Sequence, residues 1–218
     1  VTSYTKYFAW FKYYPRVVES YPLGNVLNET LNIQAAAVLL ILCFLYLILF
    51  SGKISYRKLL TLAGSNFFTA IYFIGNSPEF MGLSIPMLAA HQIADSGLWI
   101  GFLFFIHLLY LEKLVLRWMN VAYKIAVVIA LLIIATASNG DVIQLGTTVP
   151  FLFTLVFILY AVIGLLKRGI NTRTNLFQLI GLSCFLATYS NDVLVVTGIL
   201  QSIPVLPIGI VGSYVFIL

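Results

Sequence analysis

The sequence predicts an all-α membrane protein, a bundle of seven transmembrane helices with its N-terminus outside and its C-terminus in the cytoplasm. Three observations support this fold class. The 218 residues are 61% hydrophobic and only 9% charged, whereas about a quarter of the residues in a soluble domain are charged. Apolar runs recur at lengths suited to spanning helices of ~20 residues. Basic residues are concentrated in alternate connections between these runs.

The first segment, residues 1–30, is rich in aromatic side chains with basic residues between them. Such a mixture suits the boundary between lipid and water. We therefore predict an extracytoplasmic aromatic interfacial segment, with the end of a preceding domain as the alternative. Pro15 and Pro22 are expected to interrupt any long helix here. The residues that form the pattern are Tyr4, Lys6, Tyr7, Phe8, Trp10, Phe11, Lys12, Tyr13, Tyr14, Arg16 and Tyr21.

Residues 31–218 are predicted to form the seven-helix bundle. The apolar runs are 33–50, 59–74, 85–110, 122–137, 149–166, 176–194 and 205–218. The connections between them are polar or rich in glycine and proline, including the stretch 138–146, and Pro86, Pro150, Pro204 and Pro207 are expected near helix starts. The seventh run is shorter than the ~20 residues of a spanning helix. We therefore expect this helix to be truncated and the natural chain to continue past Leu218, and we expect another segment before Val1.

The orientation follows from the lysine and arginine residues. They occur in the first, third and fifth connections and are missing from the second, fourth and sixth. By the positive-inside rule, the basic connections are cytoplasmic. The three basic residues of the N-terminal segment favour the opposite orientation, but the alternating pattern outweighs them. The basic residues in and beside the connections are Lys53, Arg57, Lys58, Lys113, Arg117, Lys124, Lys167, Arg168 and Arg173.

Several kinds of chemistry are not expected in this chain. Cys43 and Cys184 lie in apolar runs, so no disulfide framework or metal-ligand spacing is present. His91 and His107 face about 160° apart and ~24 Å apart along one helix, which excludes a site that they share. No lysine follows Lys167 to carry a retinal Schiff base. Without nucleophile, phosphate-loop or nucleic-acid-binding motifs, we expect no cofactor, no metal, no catalysis and no nucleic-acid partner.

Polar residues inside the third and sixth runs form the candidate site. His91 and Asp95 are four residues apart, on one helical face, so that the imidazole could satisfy the carboxylate. Asp95 and Asp192 both lie ~26 Å from the cytoplasmic end of their helices and could share one polar layer open to the outside. This layer would be a ligand site or a polar switch; alternatively, it only bonds one helix to the other. Its members are His91, Gln92, Asp95, Ser190, Asn191 and Asp192.

The end of the chain resembles a known family. Residues 174–218 are similar to the sixth and seventh helices of the bacterial seven-transmembrane receptors with diverse intracellular signalling modules. The preceding basic turn, Lys167 and Arg168, also matches. Over residues 33–166 the likeness is one of helix count, short loops and orientation. The matching residues are Asn191, Asp192, Val193, Leu194, Gly198, Ile199, Gln201, Pro207 and Gly209.

The resemblance implies the membrane part of a signal-transducing receptor in a bacterial inner membrane. In the family, a sensory domain precedes the bundle, and a nucleotide cyclase, diguanylate cyclase, histidine kinase or phosphatase follows it; neither is recognisable in this sequence. The implied partners are membrane lipids, a second copy or a larger membrane complex, and a cytoplasmic signalling module. Two alternatives stay open, which are a structural or accessory subunit of a membrane complex and a small-molecule transporter.

Overall fold

The computed structural model describes residues 22–50, 56–76, 86–169, 172–196 and 206–216. In these ranges the chain is helical apart from short connections and contains no strand. The all-helical fold class is therefore confirmed. The predicted interfacial segment lies outside the described residues up to position 21, as do the connections 51–55, 77–85 and 197–205.

The described residues form seven helices, one for each apolar run. Most helices extend beyond the predicted run because they include polar residues at one or both ends, whereas α3 and the last helix nearly match their runs. The helices are α1 (Pro22–Phe50), α2 (Tyr56–Gly75), α3 (Met87–Leu111), α4 (Arg117–Thr136), α5 (Gly140–Arg168), α6 (Arg173–Val196) and α7 (Leu206–Phe216).

Four of these helices are long and apolar enough to cross a membrane. The stretches are Thr30–Leu49, Leu88–Leu111, Arg117–Thr136 and Leu145–Arg168. Their outward faces carry large exposed apolar side chains; Ile48 and Leu145, for example, are 67% and 68% exposed. Water would make such a surface costly, whereas lipid would not. The chain is therefore a membrane protein.

Two helix starts differ from the prediction. α1 begins at Pro22, ahead of the predicted run at 33, since proline is well tolerated at the first helical position. The stretch 138–146 was predicted to be a connection, yet α5 begins at Gly140. The Asn139 side chain accepts a hydrogen bond from the Val142 backbone N–H at 3.0 Å and so starts the helix early. Pro150 therefore lies inside α5 and not near its start.

The helices follow one another around a closed ring. Each helix packs against the next one along the chain, and α7 packs against α1 and α2 as well as α6. α3 is the most central helix, because it also contacts α5 and places Phe102 against Phe185 of α6, with ring centroids 5.7 Å apart. Tyr214 of α7 meets Phe105 of α3 edge-on at 5.3 Å.

The two ends of the ring differ in charge. We call the end where α2, α4 and α6 begin the basic end, and the opposite end the acidic end. Of the acidic residues in the described ranges, only Glu112 lies at the basic end, whereas Glu29, Asp95, Asp141 and Asp192 lie in the half nearer the acidic end. The described basic residues all lie at or near the basic end: Arg57, Lys58, Lys113, Arg117, Lys124, Lys167, Arg168 and Arg173.

Candidate functional site

A hydroxyl cluster, formed by Ser65 and Thr69 of α2 and Tyr214 of α7, lies in the interior of the ring. The Ser65 Oγ is 2.6 Å from the Tyr214 hydroxyl and 2.7 Å from the Gly101 carbonyl oxygen of α3. The Thr69 Oγ1 is 3.2 Å from the same tyrosine hydroxyl. All three side chains are buried. The cluster therefore joins three helices through polar contacts inside an otherwise apolar core.

The direction of these hydrogen bonds follows from the number of protons. Each hydroxyl carries one proton, and the proton of Ser65 is used on the Gly101 carbonyl, which has none to give. Tyr214 must therefore donate to Ser65, and Thr69 must donate to Tyr214. The result is one continuous chain from Thr69 through Tyr214 and Ser65 to Gly101. Loss of the tyrosine hydroxyl would break two of its three bonds.

Gly101 allows the cluster to form. A Cβ atom at this position would collide with the Thr69 Oγ1 and would lie 3.3 Å from the Ser65 carbonyl oxygen. Gly97, one turn earlier, meets α2 in the same way, since its Cβ would lie 2.9 Å from the Phe68 carbonyl oxygen. Small residues permit such close approach between membrane helices. The glycines of α3 thus expose the carbonyl group that Ser65 uses.

On its other side, α7 is pressed against α6. A Cβ at Gly209 would collide with the Thr188 side chain, and a Cβ at Gly181 would lie 3.3 Å from the Ser213 carbonyl oxygen. Thr188 keeps its hydroxyl on its own helix, at 2.9 Å from the Cys184 carbonyl oxygen. α7 is therefore held by close backbone packing on α6 and by hydrogen bonds on α2.

At the basic end, Glu112 joins three helices. It follows the last residue of α3, and its Oε1 lies 2.5 Å from the Nζ of Lys58 on α2. Its Oε2 accepts a longer hydrogen bond, 3.5 Å, from the Gln178 side chain of α6. The carboxylate is largely shielded, while Lys58 is partly exposed. Because Glu112 is the only described acidic residue at this end, it is the main attachment point for cationic and amide groups there.

The turn after α3 has an unusual backbone. Lys113 has a φ of 58°, which is the left-handed region that normally favours glycine. The Leu114 N–H bonds to the Leu109 carbonyl oxygen at 2.8 Å, and the Lys113 N–H bonds to that of Tyr110 at 3.0 Å. The Arg168 guanidinium donates to the Lys113 carbonyl oxygen. The turn is thereby attached to the end of α5.

His91 and Asp95, which were predicted as neighbours on one face, are both half-buried on α3. Within the described part of the chain, Asp95 makes no hydrogen bond or ion pair, so the contact that its spacing from His91 allows is not formed. Trp99 lies one turn further along the same side of α3. Its indole Nε1 is buried and lacks a partner among the described residues. This part of α3 therefore has unused hydrogen-bonding capacity.

The packing of α3 on α6 indicates how high Asp95 and Asp192 lie along the bundle. Phe102 and Phe185 are in contact; Asp95 precedes the first by seven residues, and Asp192 follows the second by seven. In antiparallel helices, equal steps of ~1.5 Å per residue lead to the same height. By this count the backbones of Asp95 and Asp192 come at a similar height near the acidic end. The Asp192 side chain is outside the described part, so the shared polar layer stays a prediction.

The other residues of the predicted layer differ in their surroundings. Ser190 is exposed and Asn191 is half-buried. The Gln92 amide donates to two carbonyl oxygens at the end of α4, those of Ile134 at 2.9 Å and Ala137 at 3.0 Å. The Ile134 carbonyl oxygen also accepts the Ala137 backbone N–H at 3.2 Å, so the Gln92 amide adds a second bond at this helix end. The described bonds of Gln92 therefore close a helix end and attach α3 to α4.

Sequence reasoning missed the hydroxyl cluster and the Glu112 junction. A signal for the first was present, since Ser65 and Thr69 are four residues apart in an apolar run and so lie on one helical face. The partner, Tyr214, lies 145 residues after Thr69, and nothing local in the sequence indicates that pairing.

The fold and the polar groups define an all-α membrane protein with a few polar groups buried in an otherwise apolar core. No protein-family model matches the chain, no curated protein is significantly similar to it, and no solved structure matches its fold. The geometry itself therefore carries the functional argument, and the receptor-family resemblance stays a prediction.

Proposed function

We propose that this chain is the membrane part of a signal-transducing receptor, which relays an extracytoplasmic stimulus to a cytoplasmic signalling module. In this proposal the seven helices form a transmembrane bundle in a bacterial inner membrane, of which α7 is described over 11 residues, with the N-terminus outside and the basic end in the cytoplasm. α2 and α6 qualify by length, since their 20 and 24 residues correspond to about 30 and 36 Å. Their lower hydropathy is accounted for by buried polar residues such as Asn66 and Gln178.

The observation that carries the proposal is the hydroxyl cluster. α7 is the last helix in the sequence and would directly precede any module that follows. Its hydrogen bonds to Ser65 and Thr69 of α2 both use the Tyr214 hydroxyl. Hydrogen bonds between membrane helices contribute only about 0.6 kcal/mol on average. A stimulus of modest free energy could therefore shift α7 between two packings.

The acidic end supplies the input in this proposal. Asp95 has no partner in the described part of the chain, and the buried hydroxyl of Tyr189 on α6 has none there either. Phe185 lies between the acidic end and the hydroxyl cluster. Its ring centroid is 5.6 Å from that of Tyr189 and 6.2 Å from that of Phe105, and the Phe105 ring contacts Tyr214. A change at the acidic end thus has a continuous path of packed rings to the cluster.

A distance measurement between spin labels tests the proposal. Labels at Lys167→Cys on α5 and Val215→Cys on α7, in a background with Cys43→Ala and Cys184→Ala, report the position of α7 near the basic end. We expect one dominant distance in the parent and a clearly populated second distance after Tyr214→Phe. Tyr160→Phe is the matched control, because Tyr160 is 42% exposed on α5 and should leave the distribution unchanged.

Identical single distances in the parent and in Tyr214→Phe would contradict the proposal and favour a static accessory subunit. Copurification in mild detergent separates these readings further. A subunit would bring unrelated proteins at fixed stoichiometry, whereas we propose that the receptor brings copies of itself and its signalling module.

The polar layer gives a second test in the full-length protein with its native output. We expect Asp95→Asn and Asp192→Asn to alter the dose-response to the outer stimulus while membrane insertion is retained. An unchanged dose-response in both variants would show that the polar layer plays no part in switching.

A further inference from the structure

An apolar groove lies on the surface of α4 where this helix begins at the basic end. It is shallow and widely open, and it is lined by residues of α4 and the position before it: Leu116, Arg117, Trp118, Val121, Ala122 and Ile125. Trp118, Val121 and Ile125 are 63%, 47% and 56% exposed. Arg117 is the only charged residue of the lining. The groove is thus apolar along the helix and cationic at its rim.

The Arg117 guanidinium has no protein counterion among the described residues. The acidic residue of this end, Glu112, is held by Lys58 on the far side of α3. Arg117 is exposed and makes no hydrogen bond or ion pair within the described ranges. A guanidinium presents paired N–H donors that match the geometry of a phosphate group. The exposed guanidinium is therefore accessible to an anion at a membrane surface.

Trp118 forms a fixed wall of the groove. Its ring meets Phe157 of α5 edge-on at 6.3 Å, and Phe157 is in turn stacked on Phe153 at 5.5 Å. The indole is therefore supported on one side while much of its surface stays open. Tryptophan and arginine side by side at a helix end are typical of the boundary between headgroups and acyl chains.

We propose that this groove binds an anionic phospholipid. The phosphate lies at Arg117, and an acyl chain follows Trp118, Val121 and Ile125 along α4. Charge complementarity selects this occupant, because the described part of the basic end carries many cationic residues and one acidic residue that is already paired. A protein partner would need acidic groups at headgroup depth and apolar groups beyond them, which is the arrangement that the lipid itself provides.

Fluorescence quenching by brominated lipids tests this inference without any signalling readout. Trp10→Phe and Trp99→Phe leave Trp118 as the sole tryptophan of the chain. The protein is reconstituted in phosphatidylcholine vesicles containing brominated phosphatidylglycerol or brominated phosphatidylcholine. We expect phosphatidylglycerol to associate about five-fold more strongly at Trp118, which is the effect of one basic residue near an anionic surface. Arg117→Gln should remove most of this preference.

Lys167→Gln is the matched control, because Lys167 is an exposed basic residue of the same end that does not line the groove. It should keep the preference. Equal quenching by both lipids would overturn the proposal, and so would an unchanged preference in Arg117→Gln. An equal loss of preference in Lys167→Gln would also overturn it, because the lipid would then respond to the overall positive charge of this end and not to Arg117. If the double tryptophan variant does not fold, native mass spectrometry of the otherwise unaltered chain gives the same comparison through retained phosphatidylglycerol.

Discussion

At the scale of single residues, Lys113 adopts a left-handed backbone conformation that residues other than glycine rarely take. Its φ of 58° costs a non-glycine residue about 1–2 kcal/mol. The turn that contains it is fixed by its own hydrogen bonds and by Arg168, whose partner is a backbone carbonyl group. The strain is therefore maintained by groups that do not depend on the lysine side chain.

Lys113→Gly is consequently expected to stabilise the protein. The free energy of unfolding should rise by about 0.5–1 kcal/mol, because glycine relieves the strain but gains freedom in the unfolded chain. Denaturation in detergent micelles measures it. Lys167→Gly, in the last turn of α5, should instead lower the free energy of unfolding by about 1 kcal/mol. Equal destabilisation by the two changes would contradict this account.

Gly101 and Gly164 form a second matched pair. A Cβ at Gly101 would collide with the Thr69 hydroxyl, whereas a Cβ at Gly164 would meet nothing within 4 Å. We expect Gly101→Ala to cost about 1–3 kcal/mol, as overpacking does, and Gly164→Ala to be neutral or stabilising by up to about 1 kcal/mol. Thermal unfolding of the two variants checks the difference, and a tolerated Gly101→Ala would show that α2 and α3 can separate at no cost.

At the scale of the helices, the joint between α2 and α7 can be measured directly. A double-mutant cycle of Ser65→Ala and Tyr214→Phe isolates the energy of their hydrogen bond. The coupling should be about 0.6 kcal/mol and at most ~1.7 kcal/mol. The pair Ser65→Ala and Tyr160→Phe serves as the additive control, and zero coupling in the first cycle would mean that the bond contributes nothing to stability.

The helices themselves could be predicted from the sequence, but their partners could not. Apolar runs locate each helix because burial in lipid or in the core needs a continuous apolar stretch. The boundaries at Gly140 and Pro22 were missed, since a capping residue such as Asn139 extends a helix into polar sequence. The neighbours of Tyr214 and Glu112 depend on how distant helices pack. The shared polar layer of Asp95 and Asp192 stays a prediction, because it rests on counting residues along antiparallel helices.

At the scale of the whole molecule, the difference in charge between its ends predicts its orientation. In a membrane, the basic end should face the cytoplasm. In intact cells, a membrane-impermeant thiol reagent should label Ser138→Cys, at the acidic end, and should not label Lys167→Cys until the membrane is opened. Both variants are made without Cys43 and Cys184. The reverse pattern would show the opposite orientation and would refute the direction of signalling proposed above.

The proline inside α5 has a mechanical consequence. Pro150 has no N–H for the Gly146 carbonyl group, so one rung of the helix is missing. Nearby, Thr154 places its hydroxyl on the Pro150 carbonyl oxygen at 2.8 Å and is itself bonded to Tyr123 of α4 at 2.7 Å. We therefore expect α5 to bend more easily at this turn than elsewhere along its length. α3 contains no proline between Met87 and Leu111, so we expect it to bend less.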